Sequence, residues 1–140
     1  MITLDQARTM VAAARATGRD MGLKPLSVAI LDAGGHLLAF EREDGASPGR
    51  FEIARGKAYG AVMLGMPGSA QMARAEDQAY FMAAMNGTFD GKVVPVPGGV
   101  LVRDAGGVIL GAVGVTGDTS DNDAAVAVAG IEAAGLTAVA

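Results

Sequence analysis

The tetrapeptide Asp-Ala-Gly-Gly occurs twice in this chain, at residues 32–35 and 104–107, and each copy separates two short apolar runs. LSVAILD and HLLAFER flank the first copy, and VLVRD and VILGAVGV flank the second. Because glycine supplies the positive φ angles of a tight hairpin turn, each copy predicts an antiparallel β-hairpin. The wider flanks do not match, so we interpret the repeat as convergence on one turn chemistry rather than as an internal duplication.

Four segments around the two hairpins have the spacing and the terminal residues of α-helices. Thr3 and Gln6 form a T-x-x-Q capping box for the first helix, and Ser47, Ser69 and Ser120 are the expected N-caps of the others. The helices are expected at residues 3–21, 48–64, 69–85 and 120–134. Adjacent strands joined by short turns pair antiparallel, so the sequence predicts an α+β fold in which helices cover an antiparallel sheet. We expect one domain over residues 1–140.

The composition excludes several classes of function. A net charge of −4 argues against nucleic acid and anionic membranes as partners. There is no cysteine and only one histidine, so we predict neither thiolate chemistry nor a metal site built from clustered His and Cys. The N-terminus lacks the basic start and apolar core of a secretory signal, and no apolar run is long enough to span a membrane. We therefore expect a cytoplasmic protein.

The glycine-rich turn that follows the second hairpin is the first candidate site. Thr116 and Gly117 lead into the acidic sequence DTSDND, which ends at Asp123. The backbone N–H groups of a helix start favour an anion, and a carboxylate there could move a proton. The same acids could instead only cap the helix, and the residues leave both interpretations open. Gly98 and Gly99, just before the second hairpin, could expose N–H groups to a ligand or form a bulge.

Four further side chains could carry chemistry. His36 could be an axial haem ligand or a general base, or simply a residue exposed beside a turn. Lys57 lies among small residues in ARGKAYGA and could reach a carboxylate across a pocket, or lie on a solvated face. Arg42 and Asp44 follow the first hairpin, where Arg42 could fork onto a ligand carboxylate.

The chain resembles the GlcG/HbpS family, which also includes the C-terminal domain of PduO. The resemblance rests on TLDQAR, SVAILDAGGHLLAFEREDGA, ARGKAYGAV and PGGVLVRDAGGVILGAVGVTGDTSDNDAAVAVAGIEA, and it spans nearly all 140 residues. It implies a profilin- or PAS-like layout with about five antiparallel strands, and a homo-oligomer that is commonly an octamer. It also implies haem as a cofactor, since some members bind haem, whereas others are encoded beside catabolic enzymes. The residues carried over within matching segments are Arg42, Lys57, Gly98, Gly99, Thr116, Gly117 and Asp123.

Two functional hypotheses follow, with a third beside them. The first is a small-molecule-binding protein for haem, with His36 as the axial ligand and Tyr59 as a weaker candidate. The second is an isomerase, hydratase or lyase acting on a small carboxylate or carbonyl compound. In that enzyme Lys57 or Arg42 holds the anion, the N–H groups at residues 98 and 99 stabilise negative charge, and Asp123 or Asp44 moves a proton. The third is an accessory structural subunit.

Overall fold

The computed structural model describes residues 1–140 as five helices and five strands. In chain order they are α1 (Leu4–Asp20), β1 (Ser27–Asp32), β2 (Leu37–Arg42), α2 (Arg50–Leu64), α3 (Gly68–Asp77), α4 (Ala79–Thr88), β3 (Gly99–Arg103), β4 (Ile109–Thr116), α5 (Ser120–Ala133) and β5 (Thr137–Val139). None of the helices combines the length and the apolar character that crossing a lipid bilayer requires.

The strands form one antiparallel sheet in the order β2-β1-β4-β3-β5, which confirms the predicted α+β class and its sheet of about five strands. Both predicted hairpins form, and their turns use the same chemistry. Asp32 Oδ1 accepts hydrogen bonds from the backbone N–H of Gly34 and His36, and Asp104 Oδ1 accepts the equivalent pair from Gly106 and Val108. The repeated tetrapeptide therefore specifies its turn through an Asp side chain as well as through glycine.

Helices cover both faces of the sheet. Alternate residues of β1, β3 and β4 point to α1 and α5, and these side chains form the larger core, which includes Val28, Ile30, Val100, Val113 and Val115. The intervening residues point to α2, where a smaller core contains Leu31, Ala58, Ala61, Leu101 and Ala112. Small residues on α2 allow its backbone to lie close against the sheet, which determines how near its side chains come to the strand ends.

Three details of the predicted helices are wrong. The second helix begins after Gly49, because the Ser47 hydroxyl accepts a hydrogen bond from the Arg50 side chain rather than capping the backbone. The predicted third helix is divided into α3 and α4 by Gln78, whose φ of −135° and ψ of 68° are not helical. The N-caps of α3 and α5 are Pro67 and Thr119 rather than the serines that follow them.

One strand, β5, was not predicted from the sequence. β5 contains only three residues, and it extends the sheet by pairing with β3. A segment this short has too little alternation to be recognised. Val93 and Val94, in the loop before β3, form no strand although β-branched residues are typical of strands.

Candidate functional site

Lys57 and Asp123 meet at the end of the sheet where β4 runs into α5. Lys57 Nζ lies 3.0 Å from Asp123 Oδ2 and donates to it, and it donates a second hydrogen bond to the Val115 carbonyl at 3.0 Å. Lys57 is 3% exposed and Asp123 is 1% exposed. Asp123 Oδ1 also accepts a bond from the Asp118 N–H, so this carboxylate is used at both oxygens. Lys57 and Asp123, two of the candidates of the enzyme hypothesis, are thus partners in a buried ion pair.

Gly98 and Gly99 make room for the lysine. A Cβ atom on Gly99 would lie 2.2 Å from the Lys57 carbonyl oxygen, and one on Gly98 would lie 2.9 Å from Lys57 Nζ. Gly98 also has a φ of +111°, which favours glycine. Lys57, Asp123, Gly98 and Gly99 therefore come together at this end of the sheet. The lack of side chains on the two glycines leaves room for the ion pair.

The electrostatics of the pair are dominated by burial. Desolvation lowers the pKa of the Lys57 ammonium, while the Asp123 carboxylate acts in the opposite direction and the Arg50 guanidinium adds a small further decrease. An ammonium has three N–H donors, and two are used within the chain. A cavity of about 250 Å³ adjoins the pair, and its lining residues are Ser69, Pro97, Gly98, Gly99, Val100, Asp121, Ala124 and Ala140.

Thr116 and Gly117 lie at the same strand end, next to a second cleft. The buried Thr116 hydroxyl accepts a hydrogen bond from Arg50 Nη1 at 2.8 Å. Gly117 lines the cleft, whose volume is about 230 Å³. Arg50 and Lys24, which also line it, were missed by the sequence reasoning. The position of Arg50 at the helix start, directly after SPG, was the available signal.

Arg42 and Asp44 lie apart from the ion pair. Arg42 pairs with Ser27 in the sheet register, at the outer edge strand, and it is exposed. Asp44 is exposed in the following loop and lines a shallow cleft that also contains Arg15 and Arg19. Neither is in contact with Lys57 through a hydrogen bond or ion pair.

His36 lies at the opposite end of the sheet. The six residues of β1 separate the two ends by about 17 Å at the usual rise of a strand. The His36 side chain is 80% exposed, and its Nδ1 lies 3.3 Å from Asp32 Oδ1. The backbone N–H of His36, which donates to Asp32, is the main cause that lowers the pKa of that carboxyl group.

An apolar cavity of about 400 Å³ adjoins the His36 turn. Six of its eight lining residues are hydrophobic, and the full set is Met1, Ile2, Asp32, Ala33, Gly34, Leu38, Ile109 and Leu110. Leu37 and Val108, near the tips of the two hairpins, are also large apolar side chains that are exposed. This end of the molecule therefore combines a histidine with an apolar cavity, whereas the Lys57 end is polar.

Tyr59 lies near the same turn, on the α2 side. Its ring carbons are 3.3 Å from the position that a Cβ on Gly35 would occupy. The ring packs edge-on against Phe89, and Lys92 Nζ lies 5.6 Å from its centroid.

Residues 2–132 match the HbpS-like protein family, which is described as "Haem degrading protein HbpS-like". A crystal structure of HbpS is 30% identical to this chain, covers 93% of it and 87% of the HbpS chain, and superposes with a TM-score of 0.79. No curated protein shows significant sequence similarity to the chain.

Two more distant structures share the fold. The PduOC–haem complex is 23% identical, with 94% of this chain and 93% of that chain covered and a TM-score of 0.83. The Klebsiella pneumoniae protein ORFY is 24% identical, with 96% and 90% covered and a TM-score of 0.84. At these identities the likeness establishes the architecture alone.

Proposed function

Because the chain belongs to the HbpS-like family, we propose that it binds haem through His36 at the hairpin end of the sheet. The observation that carries the proposal is the position of the single histidine beside an apolar cavity of about 400 Å³. A family described as haem degrading and a structural neighbour solved as a haem complex support the same ligand.

The donor set at this end fits an iron porphyrin. A carboxylate beside one imidazole nitrogen orients the ring and raises the basicity of the other nitrogen, as is usual for histidines that bind metals. Asp32 is placed to do this at Nδ1, which leaves Nε2 for iron. Small-ligand cavities commonly enclose about 300–1,000 Å³. The cavity here is at the lower end of that range.

The Lys57 end supports the enzyme hypothesis less well. A group that transfers a proton or holds a substrate must be free to contact it. Lys57 and Asp123 instead bind each other and the backbone while almost completely buried. We therefore prefer the binding protein to an isomerase, hydratase or lyase that uses this pair.

We also propose that the chain forms a homo-oligomer. Tyr80 is 73% exposed and Met72 is 37% exposed, and they lie on the neighbouring helices α4 and α3. Exposed large apolar side chains are typical of surfaces that bind another protein. Light scattering coupled to gel filtration would measure the assembly, and a monomer at micromolar concentration would contradict this part of the proposal.

The haem proposal is tested by titrating the purified protein with haem and following the Soret band. We expect saturable binding in the wild type, and a changed Soret band with an affinity lower by at least about tenfold in His36→Ala, because an axial bond is lost. Arg55→Gln, a change on α2 away from the hairpin turn, is the matched control and should titrate as the wild type does. Tyr59→Phe tests Tyr59, the other candidate for the axial ligand, and should titrate as the wild type does if His36 is the ligand. Identical titrations of the wild type and His36→Ala would overturn the assignment.

A further inference from the structure

The cleft between the β2–α2 loop and the β4–α5 turn has the character of an anion site. It is lined by Lys24, Pro25, Gly45, Ala46, Ser47, Arg50 and Gly117. Two of these residues are cations, none is an acid, and only one is hydrophobic. In a chain with a net charge of −4, a cleft of about 230 Å³ with this lining concentrates positive charge in one place.

Arg50 is held at the cleft without a counterion. Its Nε donates to the Ser47 hydroxyl at 3.1 Å and its Nη1 donates to the Thr116 hydroxyl at 2.8 Å. Both acceptors are neutral, and no carboxylate lies within ion-pair distance of Arg50 or Lys24. A guanidinium has five N–H donors, so three remain, in a half-buried group whose orientation is already restricted.

The neighbouring acids are occupied elsewhere. Asp118 accepts hydrogen bonds from the Lys24 and Thr119 N–H groups and from the Asn122 side chain. Glu43 is bound by Arg15 and by the Leu26 N–H. Glu43 is therefore paired with Arg15, and Asp118 forms no ion pair with the cations of the cleft, although the charge of Lys24 contributes to lowering the pKa of its carboxyl group.

Backbone N–H groups of the two loops add to the cations. The N–H groups of Gly45, Ser47 and Gly117 have no acceptor within the chain. Unpaired donors at a cleft with two cations match the oxygens of a small anion.

We propose that this cleft binds a small oxyanion, a phosphate or a short carboxylate, between Arg50, Lys24 and the free N–H groups of the two loops. The site is separate from the hairpin end and shares no residue with the proposed haem site. Its charge comes from Arg50 and Lys24 rather than from Lys57 and Arg42.

The test is a ¹H–¹⁵N NMR titration with inorganic phosphate and, separately, with malonate. Binding should shift the Gly45, Ser47 and Gly117 amide signals in a saturable way, and the comparison of the two titrations identifies the preferred oxyanion. We expect Arg50→Gln and Lys24→Gln each to weaken binding by about tenfold, since each removes a charge-assisted contact. Arg55→Gln, on the same helix but lining another cleft, should leave the affinity unchanged.

Lys24→Gln should fold as the wild type does, because the Lys24 side chain is exposed and makes no hydrogen bond or ion pair. It therefore keeps the test informative if Arg50→Gln misfolds. The proposal is overturned if neither anion shifts these amides at millimolar concentration, or if Lys24→Gln and Arg50→Gln bind as the wild type does. Haem titration of the same variants distinguishes this result from a failure of the haem proposal, since both variants should keep the wild-type Soret response.

Discussion

At the scale of single residues, removing one partner of the buried Lys57–Asp123 ion pair strongly destabilises the fold. Removing the ammonium by Lys57→Met leaves a buried carboxylate without its counterion. Breaking a buried pair in this way costs about 3–5 kcal/mol. We expect a loss of that size in the free energy of unfolding measured with urea. In Lys57→Met/Asp123→Asn the uncompensated charge is gone, so the double variant should be more stable than Lys57→Met alone. A loss below about 1 kcal/mol in the single variant would mean that the pair is solvated.

Asp118, five residues before Asp123, makes the stability of the fold depend on pH in a direction that its lowered pKa determines. Hydrogen bonds from Asn122 and from the Lys24 and Thr119 N–H groups lower its pKa from 3.8 to about 2. Because the folded-state pKa is below the unfolded value, this carboxylate stabilises the fold above about pH 4, and that contribution is lost as the pH falls through about 2. Asp118→Asn should therefore be less stable than the wild type at pH 7, and the two should converge towards pH 2 in urea unfolding. Asp121→Asn, whose carboxylate makes no hydrogen bond in the chain, is the control. A difference that is the same at both pH values would contradict this account.

At the scale of elements, the sequence predicted what local chemistry determines. The hairpins follow from the Asp-Ala-Gly-Gly turns, and the α1 start follows from the Thr3–Gln6 capping box, which the structure confirms. The division at Gln78 was not predictable in this way, because residues 69–85 contain neither proline nor glycine to indicate it. The N-caps of α2, α3 and α5 differ from the predicted ones by one or two residues, since several polar residues compete for each cap.

Long-range pairing explains what the sequence left out of the candidate site. Lys57 and Asp123 were both selected, but they are 66 residues apart in sequence, and no local pattern indicates that they bind each other. Arg50 was missed because its significance depends on Thr116, which is equally distant along the chain. The close packing of α2 on β4 and β3 creates both contacts, so these roles depend on tertiary structure rather than on motif.

At the scale of the whole molecule, the sheet separates two chemically different ends. One end has His36 and an apolar cavity, and the other has the buried ion pair and the Arg50 cleft. β1 and β4 run between them through the closely packed cores on both faces. Since the proposed haem and oxyanion sites share no lining residue and both rest on fixed elements, we expect no coupling free energy between them.

Independent sites make a prediction that is measured by thermal unfolding. A ligand at 100 times its Kd stabilises the folded state by about 2.7 kcal/mol when it binds only that state. Haem and the preferred oxyanion should each raise Tm, and the two stabilisation free energies should add when both are present. At the same ligand concentrations a tenfold loss of affinity lowers a contribution of about 2.7 kcal/mol to about 1.4 kcal/mol. His36→Ala should therefore lose about half or more of the haem contribution and keep that of the anion, whereas Arg50→Gln should do the reverse. Reciprocity requires that any departure from additivity appear equally in both affinities. A saturating anion that changes the haem Kd would therefore show that the sheet connects its two ends, and the sites would then have to be described as one coupled system.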